Sequence, residues 1–389
     1  MQREVYLNGI DRRYDMMRIV LDNLKNILGW RTSERLVVLA VDDYGNVRQD
    51  SVASKQRMMD DGLHLNSRFD RFDTVETRQD LESLFEVLSS VSDGQGRSAV
   101  MTPYTVCANL DFDAINENDA VYRYEFLTQT FARLEDSQGQ AYRGAWNLWR
   151  EGIRLGLLRP QFHGREHLNV ELLERKLRSG DRTLKINLKN RSLAALGTEP
   201  SMPGVGFTHA FSLSNRSELG RHKEIIADGL NLFERLFGFR SKTFAPPALK
   251  LHPELYPYVE TLGLGAIDKP SHCVRRLDQH ESIREFNVLG PCAKHDHVSV
   301  VRNVVFEPTD NRAVDAVKLA LNQVAAAFRW HKPAIISSHR VNFAGHIDPH
   351  NREFGLDALR RLLGGIIERW PDAHFISADA LVDKIEATP

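Results

Sequence analysis

Two carboxylates stand side by side where an apolar run ends, in the stretch Leu36-Val37-Val38-Leu39-Ala40-Val41-Asp42-Asp43-Tyr44-Gly45-Asn46. A turn needs one Asp or Asn and a Gly, so the second Asp calls for a further reason. Farther along, His163 and His167 in HGREH have i, i+4 spacing. On a helix or helical turn that spacing sets two imidazoles on one face, near enough to share a metal ion. Glu166 stands in the wrong place for an H-E-x-x-H site. Two histidines leave a metal under-coordinated, and either Asp42 or Asp43 would complete a three-ligand site with positions open to water and substrate. The other carboxylate is then free for general-base work. His339, which ends the run PAIISSH, suits the general acid, because imidazole protonates near neutral pH. Together these residue types describe metal-assisted hydrolysis, in which a cation polarises a carbonyl and activates a water.

Such residues need a frame that gathers them, and the chain alternates strand-like and helix-like segments almost throughout. Strands are expected at 36–41, within 98–106, and at SKTFAPP, LGAI, VSVVRNVVF, PAIISSH and AHFISAD. Helical periodicity marks 12–29, 143–157, a segment stopped by Gly180, 216–238, 252–262, 312–330, 353–369 and a last short helix. Most of the strands are short and apolar on both faces, the sequence form of a parallel sheet wrapped by helices. Seven or eight such units favour an α/β fold closed, or nearly closed, as a barrel. In that architecture chemistry sits where strands end. Asp42 and Asp43, His163, the Ala245-Pro246-Pro247 run, Asp268 and His339 all fall at such ends. No G-x-G-x-x-G follows the first strand and no G-K-[ST] loop occurs, which weakens dinucleotide and P-loop readings. One domain is expected over 1–389, with an N-terminal helical extension (1–34) and an inserted, irregular excursion at 175–215 that could cover a site.

With 51 basic against 52 acidic residues, no global field draws the 389-residue chain to nucleic acid or to an anionic membrane. Cys107, Cys273 and Cys292 stand far apart, against a disulfide framework or a thiolate zinc site and in keeping with a reducing compartment. No window approaches the roughly 20 apolar residues of a membrane-spanning helix. The N-terminus carries acids and bases where a signal peptide would be apolar, so a cytoplasmic location is expected. The sequence leaves the oligomeric state open.

The order of these motifs resembles the polysaccharide deacetylase (NodB-like) family over roughly residues 36–385, with D-D-x-G after the first strand, H-x-x-x-H, a Pro-rich third motif and a late strand ending in His. VDDYGN is also similar to the opening of the YdjC-like sugar deacetylases. The resemblance implies an incomplete (β/α)7–8 barrel that uses a divalent metal to remove N- or O-acetyl groups from sugars. It implies Asp42 as base, Asp43, His163 and His167 as metal ligands, and His339 as acid. Zn²⁺ fits such a ligand set best, with Co²⁺, Ni²⁺ or Mn²⁺ as alternatives.

The sequence departs from the family pattern in three places. Val41 and Tyr44 flank the Asp pair, Gly164 replaces a Ser or Thr, and TFAPPA lacks the Arg that orients the base. Arg165 and Arg340 are candidates for that missing role, and Asp268 stands where the family often has a tuning Asp. Arg165, Arg340, Asn342 and Pro246 are expected to touch substrate. His346 and His350 read as loop residues, because Gly345 and Pro349 oppose a regular helix, and His295 and His297 read as solvated. Two rivals remain. One is a catalytically silent carbohydrate-binding protein on the same fold, motivated by the missing Arg; the other is a metal-dependent amidohydrolase acting on a non-sugar amide.

Overall fold

The computed structural model describes residues 19–115, 120–200, 202, 204–278 and 280–388. Its main sheet contains ten strands: β1 (Arg35–Tyr44), β2 (Met101–Thr105), β3 (Gln161–Phe162), β4 (Thr243–Phe244), β5 (Ala266–Asp268), β6 (Gly290–Pro291), β7 (Val298–Val300), β8 (Val304–Val305), β9 (Ala334–His339) and β10 (Ala373–Phe375). The order is β6-β7-β5-β4-β3-β2-β1-β9-β8, with β10 also paired to the start of β1. All pairings are parallel except β6 with β7. The fold is an α/β half-barrel, an incomplete and distorted (β/α) barrel.

β1 is buried on both faces, and its two faces serve different cores. Val37, Leu39 and Val41 join an outer layer with the helices Arg78–Ser89, Ala145–Arg154, Ala316–Arg329 and Pro349–Arg369. Leu36, Val38 and Ala40 face the interior with Tyr104, Ala266, Val300 and Ile335. Leu381, Val382 and Ile385 of the last helix, Ala378–Glu386, fill that interior. This helix holds to the starts of strands: the Ala378 N–H donates to Thr102 Oγ1, and Lys242 pairs with Glu386. One end of the barrel is thereby stoppered, and the strand C-termini remain for chemistry.

The expected strand VSVVRNVVF is two strands. β7 pairs with β5 and β8 pairs with β9, so residues 301–303 carry the chain from one flank of the sheet to the other. A few extended residues span at most about 3.5 Å each, which forces the flanks of the open sheet close together. The expected helix at 353–369 begins earlier, at Pro349, with the Asp348 side chain accepting from the His350 N–H as its cap. Pro at the first helical position loses no hydrogen bond, so it starts a helix here rather than opposing one. His350 is therefore helical, not a loop residue.

The stretch 175–215, expected to be irregular, carries the helix Arg182–Lys189 and buries Leu184, Leu193, Phe207 and Phe211 in a second apolar core. His297, expected to be solvated, is buried, and its Nδ1 lies 2.6 Å from Glu260. The expected N-terminal helix falls partly outside the described residues; within them, 19–24 are helical.

The helix Pro349–Arg369 presses directly on the turn that follows β9. A methyl group at Gly355 would lie 1.7 Å from the Asn342 carbonyl oxygen. Gly355→Ala is expected to destabilise the fold by about 1–3 kcal/mol through this overpacking. The urea unfolding midpoint checks it, and an unchanged midpoint would show that the close approach does not matter.

Candidate metal centre and flanking acid and base

The end of β1 explains why two adjacent carboxylates can do separate work. Val41 pairs with Pro103 and Tyr44 with Thr105, so β1 advances three residues while β2 advances two, a bulge of one extra residue. Asp43 takes up the irregularity with a left-handed φ of 74°. Asp is among the few non-glycine types that enter this region readily. Asp42 stays in register with His339 on β9, while Asp43 turns away toward the loop after β3.

That loop holds His163 and His167, which converge without being helical. Gly164 at φ 112° lets the chain fold back, a conformation closed to the Ser or Thr that the family motif would place there. Asp43 Oδ1 lies 2.9 Å from His167 Nε2 and 3.5 Å from His163 Nε2, and one ligand atom from each of the three residues falls within 4.8 Å of the others. His163 Nδ1 is 2.6 Å from the Ala245 carbonyl oxygen. A carbonyl can only accept, so Nδ1 carries a proton, and in the neutral ring, the form that ligates a metal, Nε2 turns a lone pair toward Asp43. His163 Nε2 is buried with no hydrogen-bond partner. A lone pair facing a buried carboxylate is repulsive unless a cation lies between them, so the three residues fit a divalent metal ion. Burial opposes ionisation of Asp43, yet His167, with Nε2 2.9 Å away, outweighs it and holds the pKa well below the usual carboxylate value.

Beside this trio, Arg302 grips Asp42 with two parallel bonds, Nη1 to Oδ2 at 2.7 Å and Nη2 to Oδ1 at 2.8 Å. Its Nε donates to Asp268 Oδ2 at 2.7 Å, and Asp268 also accepts from the Tyr104 hydroxyl. Arg302 lies in the crossing between β7 and β8, the point where the two flanks of the sheet approach. Burial raises the Asp42 pKa, but Arg302 outweighs it and keeps the carboxylate ionised. Arg302 therefore gives Asp42 an arginine partner that the TFAPPA stretch does not supply.

Across β1, His339 Nδ1 lies 2.6 Å from Glu307 Oε1. Glu307 is fixed in turn by Arg68 and by the Asn342 side-chain amide. Burial alone would lower the His339 pKa, but Glu307, with Asp43 and Asp42 beyond it, pushes it up to about 9. The imidazolium is thus the resting form at neutral pH. The stability it contributes is complete below its ordinary pKa of about 6.5 and is lost as the pH rises through about 9.

Asp42, Asp43, His163, His167, Pro246, Arg302 and His339 line one cavity of about 370 Å³, together with Arg48, Phe69, Asp73 and Thr208. Three of the expected substrate contacts do not reach it. Arg165 is bound to Glu166 and Asp228 and stacks on Tyr124. Arg340 is buried against Asp73, Glu76 and the Asn46 carbonyl oxygen. Neither one reaches Asp42 as the missing arginine. Asn342 is buried beneath the cavity and acts on Glu307. Sequence reasoning missed Arg302, Glu307 and Arg68. A lone Arg inside the apolar run VSVVRNVVF is a signal that could have found the first.

These features define an incomplete barrel with a His-His-Asp cation site at its strand ends, of the kind that serves metal-dependent hydrolysis. No protein-family model matches the chain, and no curated protein matches it. Its fold is similar to that of a protein from Mycobacterium smegmatis described as a polysaccharide deacetylase, at 10% identity and a TM-score of 0.47, over 92% of this chain and 93% of that one. A protein from Parabacteroides distasonis described as a glycoside hydrolase/deacetylase is similar at 11% identity and a TM-score of 0.47, over 92% and 72% of the two chains. A 4-alpha-glucanotransferase from Thermococcus litoralis is similar at 10% identity and a TM-score of 0.43, over 90% of this chain and 40% of that one. Among the described residues, no helix is long and apolar enough to cross a membrane.

Two outcomes are expected from these ion pairs. Arg302→Met leaves two buried carboxylates without their cation and should cost about 3–5 kcal/mol of stability; a denaturation midpoint equal to wild type would contradict the pairing. Glu307→Gln should bring the His339 pKa down from about 9 toward its ordinary value, followed by NMR titration of the imidazole. A pKa still near 9 in the variant would remove Glu307 as the cause.

Proposed function

We propose that the chain is a metal-dependent hydrolase that removes an acetyl group from an N- or O-acetylated sugar or a polysaccharide-derived substrate. The observation that carries this reading is that a carboxylate held ionised by arginine and a protonated histidine line the same cavity as the His-His-Asp trio. A divalent cation, Zn²⁺ before Co²⁺, Ni²⁺ or Mn²⁺ for two imidazoles and one carboxylate, supplies Lewis-acid polarisation of the acyl carbonyl and activation of water when bound. Asp43, His163 and His167 are its ligands.

Asp42 accepts the proton of the attacking water. Arg302 fixes the orientation of that carboxylate and lowers its basicity. His339 gives a proton to the departing amine or alkoxide, and Glu307 keeps it loaded for that step. Phe69, edge-on to His339 with ring centroids 5.3 Å apart, offers an apolar wall for an acyl methyl group or a sugar face. Pro246 lines the same cavity, and its contact with substrate is part of the proposal. Arg165, Arg340 and Asn342 act on the framework instead. The silent sugar-binding alternative rested on a missing arginine, and the pairing of Arg302 with Asp42 supports the hydrolase reading over it. The three cysteines are free thiols, in keeping with the cytoplasm, where we place the enzyme.

An acetate-release screen over N- and O-acetylated sugars, with the metal-loaded protein, tests the proposal. Release is expected from the wild type, with Asp42→Asn at least about a hundredfold slower, as removal of a general base implies. A near-normal rate in Asp42→Asn would remove Asp42 from the role of base. Release only from non-sugar amides would replace the substrate class.

A further inference from the structure

A second cavity, of about 460 Å³, adjoins the first, and Ala248 and Leu249 line both. These are consecutive non-glycine residues at φ 56° and 52°, a left-handed pair that reverses the chain just before Lys250. The left-handed conformation is costly for residues with a Cβ, so the reversal needs a compensating role. Its visible effect is to put the Lys250 side chain at the wall of the second cavity.

Among the described residues, the lining of that cavity contains cations and no carboxylate. Arg275 is already neutralised, with Nε 2.6 Å from Glu285 Oε2 and Nη1 donating to the Leu251 carbonyl. His252 is spoken for on both ring nitrogens: Nδ1 accepts from the Glu254 N–H, and Nε2 donates to the Leu277 carbonyl. Lys250 differs. Its half-buried ammonium reaches His209 Nδ1 at 3.2 Å and the Gly204 carbonyl at 3.5 Å, and it has no ion pair. His209 Nδ1 also accepts from the Gly206 N–H, so this ring offers Lys250 a neutral nitrogen and no negative charge. The Arg276 guanidinium packs beside Gly204 and extends the same positive wall. Burial and the neighbouring arginines lower the Lys250 pKa, the mark of a cation held among like charges.

We propose that this second cavity is an oxyanion subsite, in which Lys250 binds a phosphate or carboxylate group on the same molecule whose acyl group enters the first cavity. The inference rests on the hydrolase reading and narrows its substrate to an acidic acetylated sugar. The shared wall at Ala248 and Leu249 lets one ligand occupy both cavities, with the reacting carbonyl at the trio and the anion at Lys250. Lys250 acts as a point charge, so an arginine in its place keeps the sign and most of the binding.

The test titrates the metal-loaded full chain with inorganic phosphate, with N-acetylglucosamine, with its 6-phosphate and with 2-acetamido-2-deoxyglucuronic acid, in wild type, Lys250→Ala and Lys250→Arg. Loss of one charge-assisted contact is expected to weaken phosphate binding by roughly tenfold in Lys250→Ala. Lys250→Arg should retain the binding, and the neutral sugar should bind alike to all three proteins. Of the two acidic sugars, the one whose advantage over the neutral sugar depends on Lys250 identifies the oxyanion. Phosphate binding unchanged in Lys250→Ala, or undetectable at millimolar concentration in wild type, would overturn the subsite. An acetate-release assay on the same proteins separates the two claims. If phosphate binding depends on Lys250 but no sugar yields acetate, the subsite stands and the hydrolase reading fails. Acetate release with Lys250-independent phosphate binding overturns the subsite and leaves the hydrolase reading in place.

Discussion

Arg302 lies between two buried carboxylates, and the geometry of the cavity depends on that pairing. Bound to Asp42 through both terminal nitrogens and to Asp268 through Nε, it ties the end of β1 to the end of β5. It does so from the crossing at which the open sheet comes nearest to closing. A full barrel would join its last strand to its first with a ladder of backbone hydrogen bonds. Here a side chain supplies the connection at the level where the chemistry sits. Arg302 and the protonated His339 are both engaged by other carboxylates, so Asp43 and the two histidines are left as the donors for a cation.

The flanking groups follow from the same charge arrangement. Asp42 and His339 are register partners on adjacent strands, yet they are driven in opposite directions: the carboxylate is held ionised by Arg302 and the imidazole is held protonated by Glu307. A base and an acid separated in this way can act in one cycle at neutral pH without exchanging protons with each other. Arg68 and Asn342 beneath Glu307 show how far the positioning extends, reaching the turn that Gly355 supports.

Much of this was legible in the sequence. The strand before Asp42, the alternation of strands and helices, and the strand-end positions of His163 and His339 follow from apolar periodicity and residue type. Arg302 was hidden because VSVVRNVVF has the periodicity of one strand, whereas the chain changes sheet partners within it; pairing is a tertiary choice that local pattern does not encode. The histidine pair was legible for a mistaken reason. The i, i+4 spacing suggested a helix, but a glycine-dependent loop brings the rings together. Arg165 and Arg340 lie beside site histidines in sequence, but Arg340 is consumed by Asp73 and Glu76, which sequence distance conceals, and Arg165 by its own neighbour Glu166 and by Asp228. Lys250 stood out in no pattern, because its significance lies in the absence of a carboxylate around it.

Everything proposed for the cavity requires that Asp43, His163 and His167 hold a divalent cation. The decisive measurement is elemental analysis of purified full-length protein dialysed against Zn²⁺, Co²⁺, Ni²⁺ or Mn²⁺, with His163→Ala and Asp43→Ala alongside. A single tightly held ion per chain is expected in the wild type, lost in both variants, with all three proteins folded by circular dichroism. A wild type that holds no ion, or folded variants that keep it, would contradict the assignment of these three residues as ligands.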